Sequence, residues 1–153
     1  MTSPLQRRGA RLATALALAW TATGAFAQAD PLARAAAEPG AAVSTSGLVF
    51  RSLREGQGAS PAATDTVSVQ YRGTFTDGRE FDSSYARGKP ASFPLNRVIK
   101  CWTEGLQRMK VGGKAQLICP AAIAYGDKGA GNGLIAPGAT LHFEVELLGI
   151  VKR

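Results

Sequence analysis

The stretch VSVQYRGTFTDGREFDSS, Val67 to Ser84, decides how the chain is read. Val67, Val69 and Tyr71 alternate with Ser68, Gln70 and Arg72, the period of a strand with one buried face. Thr76-Asp77-Gly78 is a turn signal, and Arg79 to Ser84 then reads as a returning strand and bend. In that return an aromatic, Phe81, stands directly before an acid, Asp82, with Arg87 five residues on. The segment therefore predicts a β-hairpin, and leaves Asp82 open as a cleft acid or as a plain turn acid that pairs locally with Arg87.

Working outward, the same pattern continues on both sides. Gly47 to Gly56 alternates loosely, and Lys114 to Pro120 is a short apolar strand. Thr140 to Arg153 is a long one, with Leu141, Phe143, Val145 and Leu147 on one face and His142, Glu144 and Glu146 on the other, expected to be wet. Ala91 to Ile99 is extended, with Pro94 suited to an edge or loop. Lys100 to Gly113 is the one strong helical candidate: Trp102, Leu106 and Met109 share a face, and Gly112-Gly113 ends it. Ala121 to Ala139 is a glycine-rich loop. The expected fold class is α+β, a sheet of five or six antiparallel strands packed on one short helix.

The 153 residues suffice for one domain, and 45% apolar residues suffice for a core. Residues 1–27 hold Arg7, Arg8 and Arg11 and no acid, followed by an apolar run and the small-x-small site Ala25-Phe26-Ala27. This is the pattern of a signal peptide cleaved before Gln28, with an uncleaved anchor as the alternative. The residues after Arg7-Arg8 fit a twin-arginine signal poorly, so the general export route is expected. Residues 28–45, rich in Ala, Pro and Gly, read as a flexible linker with at most a short helix, and residues 46–153 as the domain. A periplasmic or secreted location follows, with no membrane attachment after cleavage.

Discounting the three leader arginines, the net charge of +7 falls to +4, spread without a basic run, which argues against nucleic acid as a partner. Export puts Cys101 and Cys119, the two cysteines, in an oxidising compartment. Cys101 opens the helix and Cys119 ends the next strand, so a disulfide is expected, with two free buried thiols as the alternative. The lone histidine, His142, sits on the polar face of its strand, which makes a hydrolytic triad a poor reading. Gly126 to Gly133 lacks the ending of a phosphate-binding loop. What stands out is a set of aromatics at strand ends, helix start and loops: Tyr71, Phe81, Phe93, Trp102, Tyr125 and Phe143.

Taken with Val67–Ser84, the segments FPLNRVIKCWTEGLQRMKVGGKAQL (93–117), AYGDKG (124–129) and IAPGATLHFEVELLGI (135–150) resemble the FKBP-type peptidyl-prolyl isomerases, above all the secreted bacterial, macrophage infectivity potentiator-like group. The resemblance spans about Ser46 to Val151. It implies a twisted five- to six-stranded sheet wrapped around a short helix, and isomerase activity on X-Pro bonds of exported polypeptides without cofactor or metal. A binding module acting as a chaperone is the alternative. By resemblance, Tyr71, Phe81, Asp82, Trp102, Tyr125 and Phe143 form the catalytic pocket, and Arg87, Phe93, Val98, Ile99, Leu134 and Ile135 contact substrate. Trp102 would be the floor under the proline ring, and the Tyr125 hydroxyl and Ile99 N–H would bond substrate carbonyls. Tacrolimus and rapamycin are the inhibitors the resemblance implies. Ala91 replaces an aromatic common in the family, and a loop histidine is missing near Gly131, so ligand preference stays open. The long dimerisation helices of two-part members are not expected before residue 46, which suggests a monomer.

Overall fold

The structure is a computed structural model and describes residues 30–152. The expected signal peptide, residues 1–27, lies outside the described residues. Seven strands form one sheet in the order β1-β2-β6-β7-β3-β4, with β5 also paired to β3. The strands are β1 (Ala41–Val43), β2 (Val49–Arg54), β3 (Thr66–Phe75), β4 (Glu80–Ser83), β5 (Ala91–Pro94), β6 (Lys114–Cys119) and β7 (Leu141–Val151). Every ladder among them is antiparallel. Among the described residues three short α-helices accompany them: α1 (Pro31–Ala36), α2 (Ser84–Arg87) and α3 (Lys100–Gln107).

β3 is the organising strand. One edge pairs along its whole length with β7. The other edge is shared: β5 takes Thr66 to Val69, and β4 takes Arg72 to Thr74. The chain between those two partners forms α2. Ser83 caps it by accepting a bond from the Ala86 N–H at 3.3 Å, and Gly88 closes it in the left-handed region at φ 72°. The position of Arg87 is thereby set by a turn of helix lodged in the edge of the sheet.

The concave face carries the core. Val67, Val69, Leu141, Val145 and Leu147 are fully buried, as the alternation requires. They pack on α3, whose buried residues Cys101, Trp102, Gly105 and Leu106 fall at i, i+1, i+4 and i+5, one side of a helix. A Cβ at Gly105 would overlap Leu117 Cδ2, so glycine sets how closely the helix lies on β6. The Cys101–Cys119 disulfide, with Cα atoms 5.8 Å apart, fastens the first turn of α3 to the end of β6.

Four expectations need correction. The sheet has seven strands because β1 and β5 both join it. Within residues 28–45 α1 is the short helix allowed for, but β1 also lies there and pairs with β2 through Ala41–Arg51 to Val43–Val49. The helix ends at Gln107, earlier than its glycine stop, although Met109 beyond it stays buried. His142 is half-buried, although Glu144 on the same face is 41% exposed. Its strand neighbours across β6 and β2 are Ile118 and Val49, both buried on the convex side, and α1 packs beside them on β1 and β2. His142 Nε2 is buried without a hydrogen-bond partner. Burial and then the nearby Arg34 of α1 hold its pKa below the ordinary value.

Candidate active site

Trp102 occupies the first turn of α3 and is 4% exposed. Three rings stand nearly perpendicular to its indole: Tyr71 at 5.0 Å and 87°, Phe143 at 5.4 Å and 86°, and Phe93 at 5.6 Å and 88°. Phe81 extends the wall, edge-on to Phe143 at 5.6 Å. Edge-to-face contacts of this kind are favourable beyond their buried area, and they lock ring orientations. The result is an open box of about 480 Å³ with Trp102 at its base. A side chain on Gly73 would strike the Phe81 and Phe143 rings at 2.6 and 2.9 Å, so the close approach of β3 to both requires glycine.

One wall is polar, and its groups satisfy one another. The register that sets Gly73 opposite Asp82 brings the carboxylate alongside Tyr71. Tyr71 Oη donates to Asp82 Oδ2 at 2.5 Å, and Arg87 Nη2 donates to Tyr71 Oη at 2.9 Å. Arg87 Nη1 forms an ion pair with Asp82 Oδ1. Partial burial would raise the Asp82 pKa, but the bonds from Tyr71 and Arg87 outweigh it and hold the carboxyl below the usual range. Burial and the adjacent carboxylate push the Tyr71 phenol up. At neutral pH the wall is a carboxylate, a neutral phenol and a guanidinium. The Tyr71 proton is committed to Asp82.

Among the described residues, three neutral donors at the box lack a partner: the buried Trp102 Nε1, the Tyr125 hydroxyl and the Ile99 N–H. The Tyr125 side chain lines the cavity from the loop after β6, and its hydroxyl bonds to no described residue. Burial, then the charge on Asp82, keeps it protonated. Across the cavity Ile99 precedes α3. Its carbonyl accepts from Trp102 and Thr103, while its N–H has no partner among the described residues.

The structure brings Tyr71, Phe81, Asp82, Phe93, Val98, Ile99, Trp102, Tyr125 and Phe143 into one cavity lining. Arg87 stands behind it, holding Tyr71 and Asp82. Leu134 and Ile135 do not line it. Leu134 is 57% exposed on its loop, and Ile135 is buried in the core, bridged to Ala130 by two backbone bonds of 3.0 Å. Arg97 also lines the cavity and was not foreseen; nothing in a lone arginine after a proline-led turn distinguishes it in sequence.

Residues 57–148 match the family described as FKBP-type peptidyl-prolyl cis-trans isomerase. The chain belongs to that family. The match encloses the whole aromatic box and its polar wall. Among relatives of this FKBP-type chain, the isomerase FkpA of Aeromonas hydrophila is 51% identical over 121 residues, covering 79% of this chain and 44% of the relative. An FKBP-type 22 kDa isomerase of Escherichia coli is 55% identical, covering 69% of this chain and 51% of the relative. The chain thus spans about half the length of these relatives or less. The FK506-binding protein of Streptomyces anulatus is 49% identical over 106 residues, with coverage of 67% and 86%. Among solved structures, FkpA from Escherichia coli superposes with a TM-score of 0.75 at 47% identity, covering 78% of this chain and 55% of that one. A Pseudomonas syringae isomerase gives 0.74 at 38% identity, covering 80% and 89%.

Proposed function

We propose that the protein is a peptidyl-prolyl cis-trans isomerase acting on X-Pro bonds of exported polypeptides. The observation that carries this reading is the box itself: a tryptophan base walled by perpendicular rings, sized for a proline ring and its neighbour, with a polar wall that is internally paired. In this reading Trp102 supports the proline ring, and Tyr71, Phe81, Phe93, Val98 and Phe143 exclude water. Tyr125 Oη and the Ile99 N–H orient substrate carbonyls.

The reaction is a rotation. The barrier, ~18–20 kcal/mol, is the resonance of the C–N bond. The two isomers differ by only about 0.5–1 kcal/mol, so the protein must lower a barrier without shifting an equilibrium. Twisting the amide removes resonance and reduces the dipole of its carbonyl. A low-dielectric box disfavours the planar, dipolar amide more than the twisted one. At about 1.36 kcal/mol per decade, a differential of about 5–6 kcal/mol yields roughly 10⁴-fold. No covalent bond breaks and no proton moves. Asp82 therefore serves by charge and position: held by Arg87 and Tyr71, it faces the twisted carbonyl carbon and fixes the Tyr71 ring.

The periplasmic setting is supported by the apolar leader of residues 1–27 and by the Cys101–Cys119 disulfide. The test is a protease-coupled assay on a short X-Pro peptide with nanomolar to micromolar protein. Catalysis that tacrolimus and rapamycin inhibit, with quenching of Trp102 fluorescence, is the expected result. Peptide binding without acceleration points to the chaperone reading. Acceleration indifferent to both drugs places the activity outside this box.

A further inference from the structure

Arg97 borders two cavities. One is the aromatic box. The other, about 650 Å³, is lined by Ser60, Thr64, Asp65, Asn96, Arg97 and Lys152, among others. The ridge between them is the 3₁₀ turn Leu95–Arg97, fixed from both sides. The Leu95 N–H donates to the Asp65 carbonyl at 2.9 Å, and Thr103 Oγ1 of α3 donates to the Leu95 carbonyl at 2.5 Å. The backbone under Arg97 is therefore anchored, while its side chain is exposed at the rim of both spaces.

The second cavity differs in chemistry from the box. Its wall mixes hydroxyls and one amide with Ala59, Pro94, Ile150 and Val151, and its charged groups are Asp65, Arg97 and Lys152. The Asp65 carboxylate is turned onto the Ala62 N–H at 2.8 Å. Arg97 and Lys152 form no ion pair among the described residues. Among the described residues the cavity thus presents two cations without an ion-pair partner and one carboxylate held by a neutral N–H, a net charge of +1.

A polypeptide cannot end inside the box. A space of 480 Å³ is about 8 Å across by its cube root, and each extended residue advances about 3.3–3.6 Å. The chain leaves within two or three residues of the proline, and Arg97, which lines both spaces, puts the second cavity next to that exit on its side. We infer that this second cavity is a substrate subsite, in which Arg97, assisted by Lys152, selects an acidic residue two to four positions from the isomerised bond. The inference rests on the isomerase reading above. Both cations are exposed, so the preference is that of one solvated charge pair, about two- to fivefold, and it fades with salt.

The experiment uses the whole exported chain and a peptide set. Glu, Gln or Lys is placed singly at each of the second to fourth positions on either side of an Ala-Pro bond. Exchange rates are read by protease-free NMR as kcat/KM. Glu is expected to exceed Gln by about two- to fivefold at one or two positions on the same side, with Lys below Gln. The order should collapse in Arg97→Gln, return in Arg97→Lys, weaken in Lys152→Gln, and vanish near about 0.5 M salt. Equal rates for Glu, Gln and Lys at every position, with turnover intact, overturn the inference alone. A preference that survives Arg97→Gln overturns it as well. Absent turnover of even the Gln peptides sinks the isomerase reading and this inference with it.

Discussion

Replacing Asp82 by Asn separates an electrostatic wall from an acid or base. Asparagine keeps an acceptor for Tyr71 Oη, now 2.5 Å from the carboxylate, but removes the charge that Arg87 pairs with. A hydrogen bond to a charged group is worth about 1.5–3 kcal/mol and a neutral one about 0.5–1.5, so the difference is about 1–1.5 kcal/mol. The Asp82 side chain is 40% exposed, and solvent screens part of that. At most about 1 kcal/mol is left to be felt in the transition state, or about fivefold in rate. Loss of a general base costs about 10²–10⁴-fold. The two accounts are therefore well separated. Steady-state kcat/KM on an X-Pro peptide, measured from pH 6 to 8 on a variant whose thermal midpoint shows it folded, should fall by less than tenfold and stay flat with pH. The wild type should be equally flat, because Asp82 titrates below its ordinary range and the phenols of Tyr71 and Tyr125 above theirs. A loss of more than about 100-fold in a folded variant, with a bell-shaped wild-type profile, refutes the argument.

Three further outcomes are expected. The disulfide joins residues 18 apart, and closing such a loop stabilises by about 3 kcal/mol in the chain-entropy model, so protein refolded under reductant should melt about 10 °C below the oxidised form; equal midpoints contradict this. His142 has a folded pKa depressed below 6.5, so the unfolded chain binds its proton more readily and stability should fall as pH drops from about 6.5 toward that lower pKa; denaturation midpoints of His142→Gln should lose this segment of pH dependence, and an unchanged pH dependence contradicts the burial argument. Gly105→Ala gains up to about 1 kcal/mol of helix propensity but overpacks Leu117 at a cost of about 1–3 kcal/mol, so denaturant midpoints should fall; a net gain shows that α3 can lift off β6 freely.

How far the sequence could be read follows from how local each signal is. β3 and β7 alternate over long stretches and are paired along their length, so local pattern and tertiary burial agree. β1 is three residues long and exists because β2 offers an edge; three residues of Ala and Val carry no period to detect. β5 ends at Pro94, which the edge of β3 tolerates but which sequence alone divides between strand and loop. His142 alternates onto the polar face, and alternation says which face a residue takes, not whether its position there is wet. The cover over that position involves α1, in a segment whose composition reads as linker.

The site divides in the same way. The aromatics are visible in composition, but their convergence on Trp102 depends on the twist of the sheet around α3. Asp82 and Arg87 are near in sequence, and a turn of helix brings them together. Leu134 and Ile135 are adjacent in a glycine-rich loop whose conformation sends one to solvent and the other into the core. Arg97 gains its place only because a 3₁₀ turn forms the ridge between two cavities.

The central claim is catalysed rotation in the aromatic box, and exchange spectroscopy on a short Ala-Pro peptide addresses it most directly. Uncatalysed exchange takes tens of seconds at 25 °C and gives no cis–trans cross-peaks on the NMR mixing time. Sub-stoichiometric protein should bring up those cross-peaks in proportion to its concentration, with cis and trans populations unchanged, and tacrolimus should abolish them. Cross-peaks absent at every protein concentration, while the peptide signals broaden from binding, would show a box that holds proline without turning it and would contradict the account.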